Sequence, residues 1–191
     1  MKVFLKTLGL FFIGVALIVG VYVLSFSSGH FDFYYKRIAL SKQESLVLGV
    51  SRAAQGLVPS KIDSVLGTHY APLFNYAFAA NYSPFGHVYY QAVNEKLKET
   101  DKSRGLFIIT VDPRSISVDK NRLDTNDLVD QFSFLNHIEC FSCEPNLDYI
   151  LYGHETYYKK IFLNMIRGEG YLHDDGWLEI KIDNDEESRR A

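Results

Sequence analysis

The sequence predicts an α/β domain that is built on a parallel sheet and preceded by one N-terminal transmembrane helix. Three observations lead to this fold class: a long apolar segment near the N-terminus, an alternation of strand and helix patterns between residues 45 and 112, and an apolar run from Leu106 to Val111. A chain of 191 residues, of which 47% are hydrophobic, can bury the core of one such domain.

The N-terminal apolar segment has the length of a membrane span. Leu8 to Phe26 is a run of 19 residues without a charge, close to the ~30 Å hydrocarbon core at about 1.5 Å per residue. Lys2 and Lys6 precede it, so we expect residues 1–7 in the cytoplasm, 8–26 as a signal-anchor helix, and the rest outside the cytoplasm. The alternative is a cleaved signal peptide, for which Ser25 and Ser27 offer only a weak cleavage pattern.

The part of the chain that follows the anchor divides into three segments. Residues 27–42 are predicted to form a juxtamembrane stem, 43–182 the exported domain, and 183–191 a charged tail. The aromatic cluster at residues 31–35 of the stem has two interpretations, a position at the membrane interface, where Tyr is favoured, or packing on the domain.

The charge of the chain argues against a nucleic-acid partner. The formal net charge is -3. Beyond Lys6 the chain contains 18 of the 20 basic residues and all 23 acidic ones. The exported part is therefore mildly acidic and lacks the basic excess of nucleic-acid-binding domains. The partner that the sequence predicts is membrane lipid, contacted through the N-terminal helix.

Strand and helix patterns alternate through the first part of the domain. Strand patterns occur at Ser45 to Val50 and at Leu73 to Phe78. Between them, the apolar residues of Pro59 to Leu66 have helical spacing, and Gly67 marks the end of this helix. Ser83-Pro84 begins a helix that extends to Lys98. The run Leu106 to Val111 predicts a strand buried on both faces. Further along, the patterns predict helices at 126–135 and 154–166 and an edge strand at 177–182.

Three polar residues come at or near the carboxyl ends of the three predicted strands: Ser51, Asn75 and Asp112. In open parallel sheets the residues that bind and react gather at that edge. A serine between a strand and a helix has N–H groups nearby that stabilise an oxyanion. The competing interpretation is that Ser51 only caps the helix.

Three segments together resemble the SGNH (GDSL-type) hydrolase superfamily, and within it the membrane-anchored bacterial envelope members: "LVLGVSRAAQGLVPSKI", "FNYAFAANYSPFG" and "GLFIITVDPRSIS". The resemblance covers about residues 45–117. It implies a partial three-layer sheet of the SGNH or flavodoxin-like kind, and acyl-ester hydrolysis or acyl transfer on a surface glycan. It implies Ser51 as the nucleophile and Asn75 and Asp112 near the oxyanion site.

Two departures from the family pattern affect the activity that we expect. Arg52 follows the serine, where it would clamp an anionic substrate group or form a surface ion pair. The family's last motif, Asp-x-x-His, is missing from the chain, and His173 precedes Asp174 and Asp175 instead. The chain therefore resembles the N-terminal part of such a domain, and we expect little or no esterase activity from it. The alternative function is a non-enzymatic envelope scaffold.

Cys140 and Cys143 have several interpretations. With His137 they could supply three zinc ligands, but no fourth ligand is evident, and the setting of a thioredoxin-like C-x-x-C is missing. A local disulfide or two free thiols fit an exported protein better. We therefore expect no metal site and no cofactor. A surface glycan or an acyl donor is the further partner that the resemblance implies.

Overall fold

The computed structural model describes residues 2–30, 32–70, 72–79, 86–99, 105–113, 134–153, 168 and 170–181. Its first element is the helix α1, Lys2–Phe26, which is largely apolar and mostly exposed; near its end Val23 is half-buried against the domain core and Phe26, its last residue, is buried. This helix is long and apolar enough to cross a membrane, as the sequence predicts. A signal sequence would have the same properties.

The domain is an α/β fold, which confirms the predicted class. Helix α2 spans Tyr35–Ala39, strand β1 Ser45–Leu48, α3 Ser51–Gly56, α4 Pro59–Leu66, β2 Leu73–Asn75, α5 His87–Lys96 and β3 Phe107–Ile109. The three strands form a parallel sheet in the order β2-β1-β3. After β3 come short helical turns at Phe134–His137 and Tyr149–Gly153. An antiparallel hairpin of β4, Gly170–Leu172, and β5, Leu178–Ile180, completes the described part.

Helices cover both faces of the sheet, so the core has two parts. On one face α2, α5 and the segment 135–150 pack against side chains such as Leu46, Phe74 and Tyr76. On the other face α3, α4 and the hairpin pack against Val47, Leu73 and Ala77. Successive side chains of a strand point to opposite faces, so the consecutive apolar residues of β1 and β2 are buried in both parts of the core.

The segment after α1 packs on the domain. Tyr35 is fully buried against Phe26 and Tyr149, and Tyr34 stacks on Phe78 with 5.8 Å between ring centroids. The described residues 32–35 of the aromatic cluster therefore pack on the domain, which is the second of the two interpretations. Asp32 is buried as well, and its carboxylate accepts hydrogen bonds from the Tyr35 amide and the Tyr149 hydroxyl.

One expectation about the sheet is wrong. The strand β3 is not buried on both faces, because Phe107 and Ile109 are exposed, as is Val111 beyond it. Ile108 of the strand and Leu106 before it pack against the core. An apolar run without alternation does not reveal which of its faces other elements cover. The predicted helix 154–166, residues 126–133 of the helix 126–135, and the Ser83-Pro84 helix start lie outside the described residues.

Candidate functional site

Ser51 and Asp112 lie at the carboxyl edge of the sheet, on either side of the gap between β1 and β3. Ser51 begins α3, three residues beyond the end of β1, and Asp112 lies three residues beyond the end of β3. Because β2 and β3 pair on opposite sides of β1, the chain reverses its direction of winding at this gap. In open α/β sheets such a switch point forms the crevice where ligands bind.

A glycine makes the turn between β1 and Ser51 possible. Gly49 has a φ of +148°, and a Cβ at this position would lie 1.9 Å from the Thr110 hydroxyl oxygen. Only glycine tolerates both conditions. The Gly49 amide also donates to the Tyr89 hydroxyl of α5 at 3.4 Å, and its carbonyl accepts from the Phe78 amide at 3.1 Å. The backbone before Ser51 is thus held by contacts from α5, from the segment after β2 and from the segment after β3.

Arg52 and Asp112 face each other across the switch point. The distance between Arg52 Nη1 and Asp112 Oδ2 is 4.0 Å, and the arginine side chain is 82% exposed. An ion pair this long and this exposed adds little stability, because water screens it. The Arg52 guanidinium therefore keeps most of its surface available to an anionic group, next to the half-buried Ser51.

Asn75 is the last residue of β2, and its side chain holds α3 in place. Its amide nitrogen donates to the carbonyl oxygens of Ala53 and Leu57, both at 2.9 Å, and its Oδ1 accepts from the Ala77 amide at 3.1 Å. The residue is fully buried. Both amide hydrogens are therefore used within the fold, and the contacts that we observe are those of a residue that positions the helix bearing Ser51.

The hairpin turn between β4 and β5 docks on the same region. The backbone amide of Asn75 donates to the Asp175 carbonyl at 2.8 Å, and the Trp177 indole N–H donates to the Gln55 carbonyl of α3 at 2.8 Å. Gly176 lies so close to β2 that a Cβ there would be 2.2 Å from the Asn75 oxygen. The segment His173 to Trp177 thereby packs beside α3, which the sequence patterns did not predict.

A buried arginine joins this turn to the sheet. Arg37 of α2 is fully buried and donates from Nη2 and Nε to the Gly176 carbonyl, at 2.8 and 3.1 Å, and from Nε to the Asn75 carbonyl at 3.2 Å. Its burial lowers the pKa of the guanidinium to about 10, so it stays charged at neutral pH. Lysine or arginine in a short amphipathic helix usually points to solvent, so the sequence carries no signal for this role.

Four of the five described histidines contact aromatic rings. The His173 ring stacks on Trp177, and its Nε2 lies 2.9 Å from Glu179 Oε2. The rings of His30, His69 and His137 lie against Tyr171, Tyr70 and Tyr152. His87 lies on the exposed first turn of α5, and His154 lies outside the described residues.

Cys140 and Cys143 form a disulfide, with 5.8 Å between their Cα atoms. This is one of the two arrangements that the sequence left open. Among the described residues no group of three or more His, Cys, Asp or Glu side chains is placed to hold a metal ion.

Comparison with known proteins identifies no family. No protein-family model matches the sequence, and neither the curated proteins nor the solved structures include a significant match. What is shown is therefore an α/β fold with a three-stranded parallel sheet and an N-terminal apolar helix. Ser51 and Asp112 follow the neighbouring strands β1 and β3, and Arg52 Nη1 lies 4.0 Å from Asp112 Oδ2.

Proposed function

We propose that the chain is a membrane-anchored cell-envelope protein whose exported domain is related to the SGNH hydrolases. Its ancestral chemistry is acyl-ester hydrolysis or acyl transfer on a surface glycan, with Ser51 as the nucleophile. In this proposal α1 is the uncleaved anchor and the domain lies outside the cytoplasm. The glycan or acyl donor would bind at the switch point, beside Ser51, Arg52 and Asp112.

The observation that carries the proposal is the position of Ser51. It follows the central strand β1, at the switch point, on a backbone turn that Gly49, Tyr89 and Thr110 hold from several sides. A fixed and half-exposed serine at this place is suited to meet a bound ester. Fold-level similarity alone would be a weak argument, because one fold supports many functions.

The chemistry would proceed in two steps. The Ser51 oxygen attacks the ester carbonyl while a base takes its proton; the base then gives this proton to the leaving oxygen, the alcohol departs, and the serine carries the acyl group. Water or a sugar hydroxyl then attacks this acyl-serine, and the serine recovers its proton. A serine hydroxyl without a base is a poor nucleophile, and the chain lacks the motif that supplies the family's histidine. We therefore propose that this chain turns substrate over slowly or not at all.

The second candidate function is a non-enzymatic scaffold in the envelope. The hydrogen bonds of Asn75 favour it, because its amide hydrogens bond to Ala53 and Leu57 and are turned toward α3. In a working site of the proposed kind, a donor near this position would point to the developing oxyanion. The role of Asn75 as an oxyanion donor stays a prediction.

A turnover assay separates a competent enzyme from an incomplete one. The purified full chain in detergent is incubated with p-nitrophenyl acetate beside its Ser51→Ala variant, with Ser60→Ala, an exposed serine of α4, as the matched control. We expect the three proteins to release p-nitrophenol at nearly the same low rate. Robust turnover that only Ser51→Ala removes would mean that a base exists, and His173→Ala would be the first variant to test.

A further inference from the structure

We propose that residues 147–152 form a second membrane contact beside the anchor, which we call the interfacial patch. Its exposed side chains are Leu147, Leu151 and Tyr152, and its partner is the outer interface of the bilayer that α1 spans. The proposal rests on the membrane location of α1 in the proposed function, and it adds that the domain lies directly on the lipid surface.

The patch lies next to the end of the anchor. Phe26, the last residue of α1, is 2% exposed and packs on the Tyr149 ring with 6.4 Å between centroids. The following residue, Ser27, donates from its hydroxyl to the Glu144 carboxylate at 3.1 Å. Tyr149 is within three residues of every member of the patch. The patch is therefore attached to the point where α1 meets the domain.

The length of α1 places this point at the membrane surface. From Lys6 to Phe26 the helix rises about 30 Å, which is the thickness of the hydrocarbon core. When Lys6 lies at the inner boundary, Phe26 lies at the outer one. No spacer separates Phe26 from the domain, because Phe26 is itself part of the core. The headgroup layer is roughly 5–8 Å thick on each side, so residues adjacent to Tyr149 lie within it.

The patch brings three exposed large side chains together within six residues. Leu147, Leu151 and Tyr152 are 59%, 63% and 57% exposed, whereas Tyr149 and Ile150 between them are buried in the core. Exposed apolar side chains that lie close together are typical of a surface that binds a partner or a membrane. Tyr is also one of the residues that prefer the membrane interface. Lipid next to the anchor would cover the apolar side chains and provide the interface that Tyr prefers.

The charges around the patch indicate apolar insertion and not electrostatic attraction. Residues 134–153 include Glu139, Glu144 and Asp148 but no Lys or Arg. The contact therefore differs from a polybasic lipid-binding segment, which anionic lipid attracts. We expect zwitterionic lipid to support the contact and anionic lipid to weaken it.

The experiment measures lipid contact by fluorescence quenching in the full chain, reconstituted into phosphatidylcholine vesicles. A tryptophan is introduced by Leu151→Trp, with Leu147→Trp as a second variant should the first fail to fold. Val65→Trp is the matched control, because Val65 is 84% exposed on α4, and Leu17→Trp marks the centre of the anchor. The unchanged chain supplies the signal of its single native tryptophan, Trp177.

We expect a nitroxide lipid labelled near the headgroup to quench Leu151→Trp severalfold more than Val65→Trp. A lipid labelled deep in the acyl chain should quench Leu17→Trp most. If Leu151→Trp and Leu147→Trp are quenched no more than Val65→Trp while Leu17→Trp is quenched, the patch does not touch lipid and the anchor proposal stands. If Leu17→Trp is also unquenched, the anchor proposal fails with it. A blue-shifted emission that grows with the protein-to-lipid ratio, without quenching, would identify a second copy as the partner and overturn the proposal.

Discussion

Replacing Asn75 by alanine should destabilise the domain strongly, because one buried amide serves three backbone groups. In Asn75→Ala the Leu57 carbonyl and the Ala77 amide lose the partner that the side chain provides. The Ala53 carbonyl keeps its bond from the Leu57 amide at 3.1 Å. An unsatisfied buried group costs about 1–3 kcal/mol. Two such groups together cost about 2–6 kcal/mol, a large part of the ~5–15 kcal/mol that holds a typical domain together.

The assay is urea unfolding of the full chain in detergent, followed by tryptophan fluorescence. Trp177 is the single tryptophan, and its indole bonds to α3, so its emission reports whether α3 stays docked. Asn94→Ala is the matched control, because Asn94 is exposed on α5, and it should change the unfolding free energy by less than about 0.5 kcal/mol. If Asn75→Ala is as mild as this control, Asn75 does not position α3 and the account of its hydrogen bonds is wrong.

Three further predictions concern the core, the anchor and the topology. Burial lowers the pKa of Lys96 from 10.5 to about 7, so between these values the unfolded chain holds more protons. The unfolding free energy should therefore rise with pH, by at most about 1.4 kcal/mol per pH unit. Urea unfolding at several pH values checks this, and a slope that persists in Lys96→Met would contradict it. Phe26→Ala should cost about 3–5 kcal/mol, whereas Phe12→Ala, exposed on the same helix, should leave the unfolding midpoint unchanged. Protease added to intact spheroplasts should digest the domain, and full protection would contradict the predicted orientation.

The order of elements was predictable from local patterns. Helix α4 begins and ends where the sequence indicates, at Pro59 and Leu66, because proline fits the first helical turn and Gly67 supports a positive φ of +65° beyond the last. The parallel sheet follows from strands that alternate with helices. The same alternation correctly brings Ser51 and Asp112 to one edge of the sheet.

The contacts that hold the site together were not predictable in this way. Arg37 lies in a five-residue helix, and its burial depends on the carbonyls of Asn75 and Gly176, far away along the chain. The docking of Trp177 on α3 is likewise a tertiary contact. Periodicity reports on neighbours within one element, so it carries no information about such pairs. The exposed face of β3 was missed for the same reason.

The measurement that tests the central claim most directly is covalent trapping of Ser51. The full chain in detergent is incubated for a long period with excess fluorophosphonate probe and then mapped by peptide mass spectrometry, beside Ser51→Ala and Ser60→Ala. Without a strong base a serine hydroxyl reacts slowly, so the incubation is long and the probe is in excess. The account predicts a slow adduct on Ser51 that Ser60→Ala retains and Ser51→Ala lacks. Labelling spread evenly over exposed serines, with none on Ser51, would contradict an acyl-transfer site and favour the scaffold.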